Sequence, residues 1–160
     1  MSLKSALIAS GISLLFVYST VTATCASPPL LIDPCDLITH MEAEEIMGES
    51  MQDGTLREQK ATGMKLCLYE AADDNSFAML QISIVQGQTA KETFSVIKNN
   101  FPDHEMVGGI GDDAFIATPG VHILKNDCYL TIAAGNLSRN RDKALAAGEK
   151  SVANLEIKLK

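Results

Sequence analysis

A chain of 160 residues with 20 acidic and 13 basic side chains carries a formal charge of −7. Such a surface repels phosphate backbones, which excludes nucleic acid as an expected partner. Trp is absent and only 5% of residues are aromatic, so a sugar- or base-stacking platform is not expected either.

The first 26 residues follow the layout of a secretory signal. Lys4 precedes an apolar run, Ala6 to Val21, broken by Ser10, Gly11, Ser13 and Ser19, and Val21-Thr22-Ala23-Thr24-Cys25-Ala26 supplies small residues at its exit. The run is shorter than the ~20 residues that span a bilayer comfortably. A signal over 1–26 and a single domain over 27–160 are therefore expected. Cleavage after Ala23 keeps Cys25, and cleavage after Ala26 removes it. Cys25 is also a lipidation candidate, although Thr22 and Thr24 stand where lipoprotein signals favour Leu and a small residue. The expected location is the periplasm, the cell envelope or the medium. Membrane contact is expected only through the signal or a lipid anchor. Lys4 is the one charged residue of the leader, so the remainder is one unit more negative than the whole.

Ser27-Pro28-Pro29 reads as a short extended linker, and Asp33-Pro34-Cys35-Asp36 begins the folded part. Thr39-His40-Met41-Glu42 is a capping box, predicting a helix to about Met47 that stops at Gly48. A weak strand is expected over Thr55 to Gln59. Met64 to Ala71 and Phe77 to Gln86 read as strands, with Asp73-Asp74-Asn75-Ser76 as the turn. In the second of these, Leu80, Ile82 and Ile84 share one face and Gln81 and Ser83 the other, the mark of a sheet with one buried face. Thr89-Ala90-Lys91-Glu92 reads as a second capping box. Ala90, Phe94, Ile97 and Phe101 then form a helical stripe ended by Pro102. Three short strands follow: Ala114 to Thr118, Val121 to Lys125 and Cys128 to Ala134. Ser138 is expected to cap a last helix, Arg139 to Asn154, with Leu145, Val152 and Leu155 inward. Ile157 and Leu159 alternate with charged residues as a short final strand would.

The order α-β(2-3)-α-β(3)-α, with short turns between strands, predicts an α+β fold: a two-layer antiparallel sheet with helices packed on one face.

Chemical motifs are sparse. Gly109 and Gly111 match half of a dinucleotide fingerprint, but no strand–turn–helix unit surrounds them and Asp112-Asp113 would repel a pyrophosphate. A tight turn is the expected reading. His40, His104 and His122 lack zinc-like spacing. His40 in a first helical turn and His122, out of phase with Val121 and Ile123, read as solvated. Met41, Met47, Met51, Met64, Met79 and Met106 suit Cu(I) in kind but are not closely paired, and Met is a common core filler. No GxSxG elbow lies beyond the leader, and HExxH, P-loop and CxxC motifs are absent. Asp73-Asp74 and Asp112-Asp113 sit in turn contexts. Asn136-Leu137-Ser138 matches a glycosylation sequon. No catalytic residue, metal ligand or cofactor is expected.

Asp33-Pro34-Cys35 before the first helix, Cys67-Leu68-Tyr69 in a strand, and Gly109-Ile110-Gly111-Asp112-Asp113-Ala114-Phe115 before a late hairpin form an ordered set. That set resembles a group of small exported or lipid-anchored bacterial proteins sharing a domain of unknown function, with D-P-C, then C-x-Y, then G-x-G-D-x-A. The likeness spans most of the chain beyond the leader. It implies an envelope location, a compact α+β domain and a Cys35–Cys67 bridge, and it implies no activity. The weak lipobox and the presence of Cys128 depart from that pattern.

Strand phase bears on the same pairing. Four thiols allow three complete connectivities. If Leu66 and Leu68 face the core, Cys67 points away with Tyr69, whereas Cys128 is in phase with Leu130 and Ile132. Opposite faces of one sheet exclude Cys67–Cys128, unless the two strands bury opposite registers. Cys35, in a loop, is free to reach Cys67. Cys35–Cys67 is therefore expected. Cys128 would then pair with Cys25 where cleavage retains it, or remain a buried thiol.

The expected function is that of a non-catalytic, exported cell-envelope binding module for a protein, peptide or small ligand. A periplasmic metal-binding or redox protein is the alternative, and a small hydrolase the third reading.

Overall fold

The structure, a computed structural model, describes residues 31–160. The leader over 1–26 and Cys25 lie outside the described residues. The fold is α+β. Strands β1 (Thr55–Gln59), β2 (Met64–Glu70), β3 (Met79–Gln86), β4 (Glu105–Met106), β5 (Asp113–Ala117), β6 (Gly120–Lys125) and β7 (Cys128–Ala133) form one antiparallel sheet in the order β1-β2-β3-β7-β6-β5-β4. Two meanders, β1-β2-β3 and β5-β6-β7, thus meet where β3 pairs with β7. The helices are α1 (His40–Met47), α2 (Thr89–Asn100) and α3 (Leu137–Lys158), with a 3-10 turn at Pro34–Asp36.

Local signals explain the first helix. Thr39 accepts the Glu42 amide while the Glu42 carboxylate accepts the Thr39 amide, a complete capping box. Gly48 ends the helix in the left-handed region at φ 71°, where a glycine carries no steric penalty. The second expected capping box does not form. Gln88 already has helical backbone angles, so it is the cap and Thr89 lies inside α2. The reason is Gly87, whose amide bonds Asp127 and whose carbonyl accepts the Ala90 amide. The chain is wound one residue too early for Thr89 to take the extended geometry a cap requires.

The cap of α3 is Asn136, not Ser138: its side chain accepts the Ser138 amide at 3.0 Å. The helix also continues past Asn154 to Lys158, where a short strand was expected. Ala144, Ala147, Gly148, Ser151, Val152 and Leu155 are all buried. Their spacing is helical, so packing of Leu155 carries the helix over the alternating Ile157 and Leu159. A Cβ on Gly148 would stand 3.0 Å from Ile123 Cδ1, so the small-residue stripe brings α3 close onto the sheet.

Two cores cover the two faces of the sheet. The larger joins the Pro34–Asp36 turn, α1 and α3 to Cys67, Tyr69, Leu80, Ile82, Ile84, Ile123, Leu130 and Ile132. The smaller, on the other face, packs Ala90 and Phe94 of α2 against Val85, Phe115 and Tyr129. Two helices thus lie on the expected side, and α2 lies on the opposite one. The cause is visible in the strands: Ile84-Val85, Ala114-Phe115-Ile116 and Cys128-Tyr129-Leu130 are apolar on both faces, which demands cover on both.

The phase assumed for β2 is corrected. Cys67 and Tyr69, not Leu66 and Leu68, face the larger core. Cys67 and Cys128 therefore share a face, and the phase argument separating them does not hold. The bridge that forms is nevertheless Cys35–Cys67, with Cα atoms 5.0 Å apart. Cys128 is a free, buried thiol, and its expected partner Cys25 lies outside the described residues.

Candidate functional site

The α2 side of the sheet holds the most distinctive chemistry. A row of directly opposed residues crosses it: Leu66, Ser83, Thr131, His122 and Phe115, on β2, β3, β7, β6 and β5 respectively. Helix α2 rests on β3, β7 and β6. It covers the His122 end of the row and leaves the β1–β2 end without a described helix on that side.

Under α2, Phe94 meets Phe115 and Tyr129 edge-on at 5.3 and 5.7 Å, the offset geometry that aromatic quadrupoles favour. His122 stacks on Phe115 at 4.6 Å with 8° between planes, and His104 meets the same ring from its edge at 5.1 Å. His122 is 3% exposed. Its Nδ1 lies 2.7 Å from the Tyr129 hydroxyl, while Nε2 has no partner in hydrogen-bond geometry. Burial pushes the His122 pKa below its ordinary value, and the backbone carbonyls of Ala117 and Thr118 oppose that shift only in part. The imidazole is therefore neutral at pH 7.

Beyond α2, the same face is open. Thr55, Arg57 and Gln59 of β1 are exposed, and Met64, Leu66, Met79 and Gln81 are partly so. Gln81 Nε2 donates to Ser83 Oγ at 3.2 Å. The area is a mixture of aliphatic and uncharged polar side chains around the Arg57 guanidinium.

The residues singled out from sequence do not converge. Asp112 accepts the Asn126 amide at 2.6 Å and faces Lys125, and Asp113 pairs with Lys98 at 2.7 Å. Asp73 closes a local turn on Asn75. Asp73 and Asp112 hold turns together, as expected, whereas Asp113 opens β5 and ties that strand to α2, outside the turn expected for it. The methionines are divided between the two cores and the surface. Among the described residues, no group of three or more His, Cys, Asp or Glu side chains is arranged to hold a metal ion.

One histidine reading is corrected, while His40, whose side chain is 42% exposed, keeps its solvent contact and gains partners. His122 is buried, because the face opposite Val121 and Ile123 is not solvent but the floor beneath α2. His40 is tethered: Nε2 lies 2.8 Å from the Met51 carbonyl and Nδ1 3.1 Å from Asp53 Oδ1. The third, His104, lies 2.6 Å through Nδ1 from the Phe101 carbonyl. Each imidazole is thus engaged by the fold. The second floor beneath α2 escaped the sequence reading, although its signal was present: the stripe Ala90-Phe94-Ile97 needs an apolar surface, which Val85, Phe115 and Tyr129 supply in the opposite phase.

Two hollows flank the end of β5. One of about 700 Å³ lies between Thr118-Pro119 and the start of α3, and one of about 260 Å³ lies against Phe101 and His104. In the larger, Arg141 is neutralised by a two-pronged pair with Glu105. No helix among the described residues is long and apolar enough to cross a membrane. No family model, curated protein or solved structure matches this chain.

Proposed function

We propose that the protein is an exported, non-catalytic binding module of the cell envelope. The observation that carries the binding role is the half-covered sheet face: α2 closes one end of the row from Phe115 to Leu66 and leaves Arg57, Gln59, Leu66 and Gln81 accessible. An antiparallel sheet presents such a surface at low ordering cost, because its backbone is already held, on both sides at β2 and β3 and on one side at the edge strand β1. The engagement of all three imidazoles by backbone, carboxylate or aromatic partners supports a non-catalytic reading. The Cys35–Cys67 bridge is compatible with an oxidising compartment and, with the leader pattern over 1–26, supports export. The resemblance to small exported envelope proteins agrees with export.

The test is site-specific photo-crosslinking in intact source cells. A photoreactive residue is placed at Arg57 or Gln81, with Ala153 on the outer side of α3 as control. Adducts from the sheet positions in the envelope fraction, absent from Ala153, are the expected result. Equal or absent adducts at all three positions refute the binding face, and a full-length mass with Met1 retained in the cytosol refutes export.

A further inference from the structure

Three chain segments meet at the Cys35–Cys67 bridge: the Pro34–Asp36 turn, strand β2 and the stretch Met51–Gly54 that precedes β1. The last lies directly over the sulfur. A Cβ on Gly54 would stand 2.7 Å from Cys67 Sγ and 2.8 Å from the Tyr69 ring, so the backbone of residue 54 is itself in contact with the bridge. Cys67 is 0% exposed, while Cys35 is only half-buried.

The stretch is held from two sides. On β2, the Gln52 amide donates to the Glu70 carbonyl at 2.7 Å, and Gln52 Nε2 donates to the Ala71 carbonyl at 2.9 Å. On α1, His40 meets the Met51 carbonyl and Asp53, and the Met51 amide donates to Glu44 at 3.2 Å. The β2 bonds hold Gln52 and, from Thr55 opposite Leu68 onward, the far end, whereas the α1 contacts hold Met51 and Asp53 on either side of Gln52.

We propose that Met51–Gly54 is a strap that seals the Cys35–Cys67 bridge against thiol exchange, with His40 as its latch. Reduction by a dithiol takes two exchanges. One thiolate attacks a bridge sulfur and forms a mixed disulfide, expelling the other cysteine as a thiolate that then takes up a proton. The second thiol closes the oxidised dithiol and frees the first cysteine. Attack on Cys67 is blocked by the Gly54 backbone. Attack on Cys35 expels Cys67 as a thiolate into a site closed to solvent, where desolvation raises its cost, and Asp33 beside Cys35 repels the incoming anion. Attack on Cys67 therefore requires the strap to lift, and attack on Cys35 is favoured once a lifted strap lets solvent reach the departing Cys67 thiolate. The bridge is on this view a structural bond protected kinetically, not a bond that cycles.

Dithiothreitol reduction of the oxidised folded protein, quenched by alkylation and followed by mass, tests the seal. For the native protein the rate is expected to level off at high dithiothreitol, because strap opening becomes limiting. His40→Ala is expected to raise that plateau tenfold or more, and Asp53→Asn, which weakens one contact of the latch, to raise it less. Urea unfolding of each oxidised variant separates strap opening from global unfolding. A native rate linear in dithiothreitol at the speed of an exposed disulfide overturns the seal. Variant rates equal to the native rate, or raised only as far as their lost global stability accounts for, overturn the latch.

Discussion

Cys67 and Cys128 point to the same face of the sheet and still cannot meet, because Cys67 lies opposite Ile82 of β3 and Cys128 opposite Gln86 of the same strand. Two strand spacings and four residues of register place their Cα atoms beyond the ~7 Å that a disulfide can span. Strand order, not facing, decides the pairing, because β3 lies between β2 and β7 and two strand spacings alone exceed that reach. Cys35 reaches Cys67 because the turn that carries it is folded onto β2, where the Tyr69 hydroxyl donates to the carbonyls of Cys35 and Ile38.

Removal of the bridge in a Cys35→Ser/Cys67→Ser double variant is expected to cost about 3.5–4 kcal/mol, the chain-entropy value for a loop of this size. The two cysteines are 32 residues apart. Urea unfolding of the variant against the oxidised native protein measures it. A loss well under 1 kcal/mol would show that the turn docks on β2 without help from the bond.

Stability at acid pH is expected to depend on His122. Its folded pKa lies below the unfolded value because burial disfavours the cation. The unfolded chain therefore binds the proton first. The contribution of His122 is complete above ~6.5, the unperturbed histidine value, and is lost as pH falls from there through the depressed folded value. Thermal midpoints of His122→Phe and native protein across pH 4 to 8 check the sign: the native curve should fall more steeply on the acid side. Parallel curves would refute the assignment.

Phe94→Ala is expected to destabilise by about 3–5 kcal/mol, the usual range for a large aromatic deleted from a core. Phe94 is the side chain of α2 that touches both Phe115 and Tyr129. Hydrogen exchange should show α2 losing protection before β2 and β3, since the larger core lies on the other face. Uniform loss over the whole chain would show that the two cores are not separable.

The two threonine motifs offer a paired comparison. Thr39→Ala removes an acceptor for the Glu42 amide and is expected to cost about 1 kcal/mol. Thr89→Ala removes no cap and is expected to change stability by under about 0.5 kcal/mol. Urea midpoints of the two variants decide it, and equal losses would contradict the difference in helix entry.

Gly120→Ala is expected to prevent folding or to displace the β6–β7 pairing. A Cβ there would lie 1.8 Å from the Ile132 carbonyl oxygen, which is backbone and cannot move aside cheaply. Circular dichroism and urea unfolding provide the readout, and a variant within 1 kcal/mol of native would refute this close approach.

From the sequence alone the three helices, the Thr39–Glu42 capping box, six of the seven strands within two residues, and the α+β class were legible, whereas the two-residue β4 (Glu105–Met106) was not, being too short to show alternation. Each depends on neighbours within a few positions: turn residues, caps and alternation. Alternation also shows which residues of a strand share a face, placing Cys67 with Tyr69 and His122 opposite Val121 and Ile123. It carries no sign, however. Whether the face of Cys67 or that of Leu66 meets the larger core is set by where the Pro34–Asp36 turn, α1 and α3 come to rest. Burial of His122 depends likewise on α2 taking the other side. The tertiary structure alone decides these, because helix placement is a matter of which distant apolar surfaces are left to bury once the strands have paired.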